Sequence, residues 1–210
     1  MTNMGHLIYT YQHRQAVLYV AQKLISSQKL TMMEITELLK RARYHDLDKA
    51  VLYTLIDKTT ASRYHKLTAQ HHLRPFNIYE GNHTYIDYLE AICDWDSAHY
   101  TKLDKPLNAY DQARVPGFMT EKTQNAFVDI LRKFGMDHSY QVDPEEPGWK
   151  KFQATLPDPT EENIMAEIYD YLMTQDDNVL KQLQRENPGS ITPIWAENTV
   201  HHLIEKLEKK

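Results

Sequence analysis

The chain has 210 residues, 41% of them apolar and 25% charged, with a formal net charge of −5. That length suits one domain, or one domain with a substantial appendage, and the charge excludes a broad nucleic-acid surface, which needs clustered Lys and Arg. The single cysteine, Cys93, excludes an intramolecular disulfide and a Cys-built zinc site. No uninterrupted apolar run approaches the ~18 residues of a membrane span and no leader pattern opens the chain, so a reducing, cytoplasmic setting is expected.

Residues 10–26 place His13, Ala16, Val17, Val20 and Leu24 on one stripe of a helix. Thr31 and Glu34 have the spacing of a capping box, opening a helix with Ile35, Leu38, Leu39 and Ala42 on its apolar face. The sequence RYHDLDKAVLYTLID continues that helix or restarts after a short break near Tyr44. TASRYHKLTAQHH reads as helix up to Arg74-Pro75, where the residue before proline disfavours the α region. Residues 84–100 form another helix. KLDKPLNAYDQARVPGF reads as a connection, and residues 120–134 as a helix capped by Thr120 and stopped by Gly135. MDHSYQVDPEEPGWKKFQATLPDP reads as irregular. Thr160 opens a helix with acids in its first turn, as the helix dipole prefers. A weaker helix over 176–185 and a terminal one in AENTVHHLIEKLEKK complete an all-α fold without repeats.

Histidine is over-represented, with 11 in the chain and six (His45, His65, His71, His72, His83, His99) between residues 45 and 99. His45-Asp46 sets an imidazole nitrogen beside a hard carboxylate oxygen, a donor mix that suits first-row divalent ions. On one helix the two side chains project about 100° apart and both reach an ion beside the axis. His13 lies on an apolar stripe, where it needs a partner or must stay neutral. Helical periodicity puts Asp96 with Tyr85, Leu89 and Ile92, and Asp94 on the opposite face with Glu90 and Asp87.

His13 on the first helix, ELLKRARYHDLDK and ICDWDSA together resemble the HD-domain superfamily of metal-dependent phosphohydrolases, over about residues 8–102. HDLDK is similar to the HDxxK form. His65, with five residues between it and His71-His72, and the CDW triplet are similar to a small subfamily found in bacteria and phages. The resemblance implies an HD-like helical core over 1–103 and a helical extension over 104–210, packed on or beside it. It implies His13, His45, Asp46 and Asp94 as metal ligands, choosing Asp94 over Asp96. His65 and His71 become candidates for a second metal, and His72 and Glu90 for substrate contact.

In HDxxK members the lysine, here Lys49, points into the pocket and neutralises phosphate. The implied reaction is hydrolysis of a small phosphorylated substrate, a nucleotide above all, by water activated on one or two divalent ions (Mn, Fe, Co, Ni or Mg). Lys49 and Asp46 carry the catalysis, and Asp48 or Glu90 moves the proton. Arg41, Arg43, His83, His99, His201 and His202 read as surface residues. Tyr44, Tyr53 and Trp95 read as packing, or as stacking partners for a base. A homo-oligomer is compatible with the composition. Two other functions share this pattern: a di-iron HD-type oxygenase, and an HD-fold protein that binds without catalysis.

Overall fold

The structure, a computed structural model, describes residues 3–102 and 108–174. It divides into two compact units, Met1–Pro157 and Asp158–Lys210. The described residues are helical with no strand. None of their helices is long and apolar enough to cross a membrane.

Five helices carry the first unit: α1 (Asn3–Ser26), α2 (Met32–Tyr44), α3 (Leu47–Leu55), α4 (Lys58–Thr68) and α5 (Tyr85–Thr101). The capping box before α2 forms as expected: Glu34 N–H donates to Thr31 Oγ1 at 3.3 Å, and Thr31 N–H donates back to the Glu34 carboxylate at 2.7 Å. Helices α1 and α5 pack together at the centre, with α2 against both, α3 on α1, and α4 on α3. Helix α5 is buried on two sides. Leu89 and Ile92 enter the apolar core, while Asp87 and Glu90 are buried on another face. The same burial takes in His99, read from the sequence as a surface residue, at 8% exposure.

Helix α4 stops at Thr68 rather than running to His72-Leu73. Ala69 turns extended, and Asn77 Nδ2 donates to the carbonyls of Lys66 at 3.1 Å and Ala69 at 2.8 Å. A side chain from the following loop therefore satisfies carbonyls that the helix end leaves orphaned. The loop folds back and returns His71 and His72 beside α4.

Two short helices occupy stretches that the sequence presents as connections: α6 (Ala109–Ala113) and α8 (Pro147–Gln153). Asn108 caps α6 by accepting from Asp111 N–H at 2.7 Å, and α8 begins with proline in its first turn, where no backbone donor is lost. Helix α7 (Glu121–Phe134) is the amphipathic helix expected. Thr123, Phe127 and Leu131 form its buried stripe, and Gly135 at φ 71° closes it in the left-handed conformation. Phe118 and Phe127 pack on Trp95 of α5, and Trp149 packs on Tyr100. Residues 108–157 thus share a core with α1–α5. In the second unit α9 (Glu161–Thr174) starts with Asn163 N–H donating to Thr160 Oγ1 at 3.2 Å. The helices expected over 176–185 and at the C-terminus, with His201 and His202, lie outside the described residues.

Candidate metal centre

The His45-Asp46 pair does not sit on one helix. His45 ends α2 with extended backbone, and Asp46 opens α3 in the left-handed region at φ 60°. Aspartate tolerates that conformation better than most residues, though at a cost of about 1 kcal/mol or more. The kink turns both side chains inward, so the two residues reach one place because the helix breaks there.

Four further segments deliver side chains to the same point. From α1, His13 Nε2 lies 2.9 Å from Asp94 Oδ1 of α5, and Ser97 Oγ lies 3.3 Å from His13 Nδ1. His45 Nε2 is 3.5 Å from Asp94 Oδ1 and 3.6 Å from Asp46 Oδ1. From α4, His65 Nε2 approaches Asp46 Oδ1 at 2.7 Å, and from the loop after it His71 Nε2 approaches the same oxygen at 3.8 Å. His72 sets its ring edge-on to His65 and tilted to His71, with centroids 4.8 and 4.5 Å away.

The imidazoles are held from behind. Glu90 Oε1 pairs with His45 Nδ1 at 2.9 Å and His71 Nδ1 at 3.2 Å, and Asp48 Oδ2 pairs with His65 Nδ1 at 2.7 Å. Arg41 steadies Glu90 at 3.2 Å and Asp87 at 2.9 Å, so it is part of the centre's support and not the surface residue it resembles in sequence. A carboxylate on Nδ1 turns the other nitrogen, Nε2, toward a ligand. The Nε2 atoms of His45, His65, His71 and His72 are buried without a hydrogen-bond partner, as is Asp46 Oδ1; the short approach between His65 and Asp46 is poorly aligned for a hydrogen bond. Buried orphans of this kind are rare, and a cation at their shared location would satisfy them with the imidazoles deprotonated. Four sets of three donors lie within 4.8 Å of one another: His13-His45-Asp46, His45-His71-Asp94, Asp46-Asp48-His65 and His65-His71-His72. These buried His and Asp groups can hold a metal ion, and the donors present fit a mixed nitrogen and oxygen shell.

The charges follow the geometry. Burial alone would raise the carboxyl of Asp46, but Lys49, His65 and His45 hold it well below the usual range. Burial likewise opposes ionisation of Asp94, and His13 and His45 outweigh it. Burial disfavours a charged His45, yet Asp46, Asp94 and Glu90 raise it well above the ordinary value. His65, against the same burial, rises to about 9 beside Asp48 and Asp46. Burial lowers His13 and, with help from His71 and His65, lowers His72 further. Without an ion, the surroundings favour the charged form of His45 and His65 and the neutral form of His13 and His72. Ligation needs deprotonated nitrogen, so metal uptake near neutral pH is expected to release protons and to tighten as pH rises. Titration calorimetry in buffers of different ionisation heat reads the release; heats independent of buffer would contradict it.

A cavity of about 440 Å³ opens on the centre and is lined by His13, Asp46, Lys49, His65, His72 and Asp94 among others. Lys49 pairs with Asp46 Oδ2 and also faces this cavity. Arg74, its guanidinium 3.6 Å from the centroid of Phe118, and Lys102 add positive charge to the wall, with Tyr53 and Trp95 as aromatic neighbours. Glu90, His45 and His71 do not line the cavity. Arg43, Tyr44, His83 and His99 are also absent from its wall. Asp96 is on another side of α5, where it accepts from Tyr140 Oη at 2.7 Å and from Ala109 N–H at 2.8 Å.

The supporting residues had a signal in the sequence. Asp87, Glu90 and Asp94 recur at helical spacing on one face of α5, and Arg41 lies one helical turn before His45. Glu90→Gln keeps the shape but loses the charge under two imidazoles. Metal affinity is expected to fall about 10–100-fold, as for other outer-shell partners, measured by competition with a chromogenic chelator. None of the family models, curated proteins or solved structures compared with this chain matches it.

Proposed function

We propose that this chain is a metal-dependent phosphohydrolase of the HD type, acting on a small phosphorylated substrate and most readily a nucleotide. The observation that carries the reading is the cluster of unpartnered, buried His Nε2 atoms, each ring aligned by a carboxylate or a neighbouring imidazole, of which His65 and His72 open on a cation-walled cavity. A divalent ion bound there supplies Lewis-acid polarisation and an activated water at neutral pH.

The chain's own residues do the rest. Asp48 and Glu90 align imidazoles, a task that occupies both carboxylates proposed from sequence as proton movers. Lys49, already inside the cavity, neutralises charge as it accumulates on phosphate, and Arg74 and Lys102 hold further phosphate oxygens. Tyr53, Trp95 and Phe118 contribute apolar edges to the wall, and the cavity volume falls in the range of small-molecule sites.

The test is metal analysis of the purified chain, followed by a panel of nucleotides and phosphoesters with Mn²⁺, Co²⁺, Ni²⁺, Fe²⁺ and Mg²⁺. Phosphate release that needs metal and is abolished by chelator is the expected result. A chain that carries no metal and releases no phosphate with any of the five would reduce the reading to an HD-fold binding protein. The overlapping three-donor sets favour a second reading, a di-iron oxygenase. Two irons per chain with a visible iron–oxo band, and no phosphate release, would select it.

A further inference from the structure

The phosphohydrolase reading leaves a second depression unused. An open groove of about 470 Å³ runs along α4, lined by Lys58, Thr59, Ser62, Arg63, Lys66 and Phe76. Lys58, Ser62 and Lys66 belong to both the groove and the cavity, so the two are continuous. Helical spacing explains why. Ser62 and Lys58 precede His65 by three and seven residues and follow its face of α4 away from the metal centre, while Thr59, Arg63 and Lys66 form an adjoining face. Seven residues of helix extend about 10 Å, room for a further sugar and phosphate beyond the group at the metal centre.

The chemistry of this surface differs from the rest of the molecule. The chain as a whole is acidic, yet Lys58, Arg63 and Lys66 are exposed together, and none is in an ion pair with a described acid. The neighbouring Asp57 spends its carboxylate on the amides of Thr59 and Thr60, at 2.9 and 3.0 Å. Phe76 lies beside these cations with 57% of its surface exposed. Cations in series with an aromatic face match a single nucleic-acid strand: the cations track the phosphates and the ring stacks a base without regard to its identity. A mononucleotide in the cavity would leave Arg63 and Phe76 untouched.

We propose that the α4 groove binds a short single-stranded oligonucleotide whose terminal phosphodiester reaches the metal centre. The proposal rests on the phosphohydrolase reading and names its substrate class. In the reaction, the oxygen of water forms a bond to phosphorus and the bond from phosphorus to the leaving sugar oxygen breaks. One water proton ends on that sugar oxygen and the other is released from the new phosphate. The products are a mononucleotide and a strand one residue shorter. The groove is local, in keeping with an acidic chain that lacks a broad basic face.

The experiment has two arms on the full chain. In the first, fluorescence anisotropy follows a labelled tetrathymidylate in the presence of chelator, so that metal loading plays no part. The wild type is expected to bind the tetranucleotide at least tenfold more tightly than thymidine monophosphate. Arg63→Glu and Phe76→Ala should each weaken it roughly tenfold, and Arg63→Glu should also flatten the salt dependence. In the second arm, metal-loaded protein hydrolyses bis-p-nitrophenyl phosphate, too small to reach the groove, with equal kcat in wild type and both variants. Loss of the second arm in the wild type defeats the phosphohydrolase reading. Binding that ignores strand length, or that both variants leave unchanged, overturns the groove assignment whatever the second arm shows. So would tripolyphosphate competing as well as the unlabelled strand while Phe76→Ala has no effect.

Discussion

Replacing His45 and Asp46 together by alanine is expected to reduce bound metal to a residual fraction and hydrolysis to background. These two residues enter three of the four donor sets, and only His65-His71-His72 is left whole, without a carboxylate of its own. The fold should remain helical, since both residues lie at a break between α2 and α3 and not inside a helix. It should be less stable. Alanine at φ 60° costs about 1–2 kcal/mol, and Lys49 loses its anionic partner. Circular dichroism, a thermal melt and metal analysis on one preparation separate these effects. Asp46→Asn isolates the ligand, because asparagine accepts the left-handed backbone while lacking the charge. A double variant that keeps full metal content and wild-type turnover would remove the centre from this position.

Lys49→Ala should behave differently, with metal content nearly unchanged and kcat lowered about 10²–10³-fold, or roughly 2–4 kcal/mol of transition-state stabilisation. Lys49 touches Asp46 Oδ2, whereas the unpartnered atom of that carboxylate is Oδ1. Its ammonium also faces the cavity with 17% of the side chain exposed. Burial alone would lower the lysine's pKa, but Asp46 holds it above the ordinary value, so it is charged at every working pH. Single-turnover kinetics with saturating metal give the rate. Equal rates in wild type and variant would confine Lys49 to a structural ion pair.

Much of the fold was legible because its signals are local. Thr31 with Glu34, Thr120 with Gly135, and the apolar stripes of α2 and α7 each depend on residues within a turn or two of one another. What escaped depends on distant partners. The early end of α4 is set by Asn77, and α6 and α8 are short helices that hold their place by burying Ala109, Ala113 and Trp149. At the centre, His13, His45, Asp46 and Asp94 lie close together. Periodicity points to Asp96 because it assumes a helix with one buried face, and α5 is buried on two. Asp96 is buried too, against Tyr140, and its carboxyl is raised by that burial to about 6. The support roles of Arg41, Asp48 and Glu90 were hidden for another reason. A charged side chain reads as solvated until its partners, far along the chain, are known.

The single oxygen of Glu90 that serves both His45 and His71 makes two distant stretches of chain one thermodynamic unit. His45 belongs to the break after α2, and His71 to the loop that Asn77 draws back over α4. Whatever fixes one ring stiffens the carboxylate and so prepares the other, without any displacement of the backbone. Linkage of this kind is reciprocal, so whatever ordering one ring does for the other's ligand affinity is returned by the same factor. In a double-mutant cycle His45→Ala and His71→Ala should therefore be non-additive in metal affinity, with a coupling on the order of 0.5–3 kcal/mol that shrinks when Glu90 is replaced by Gln.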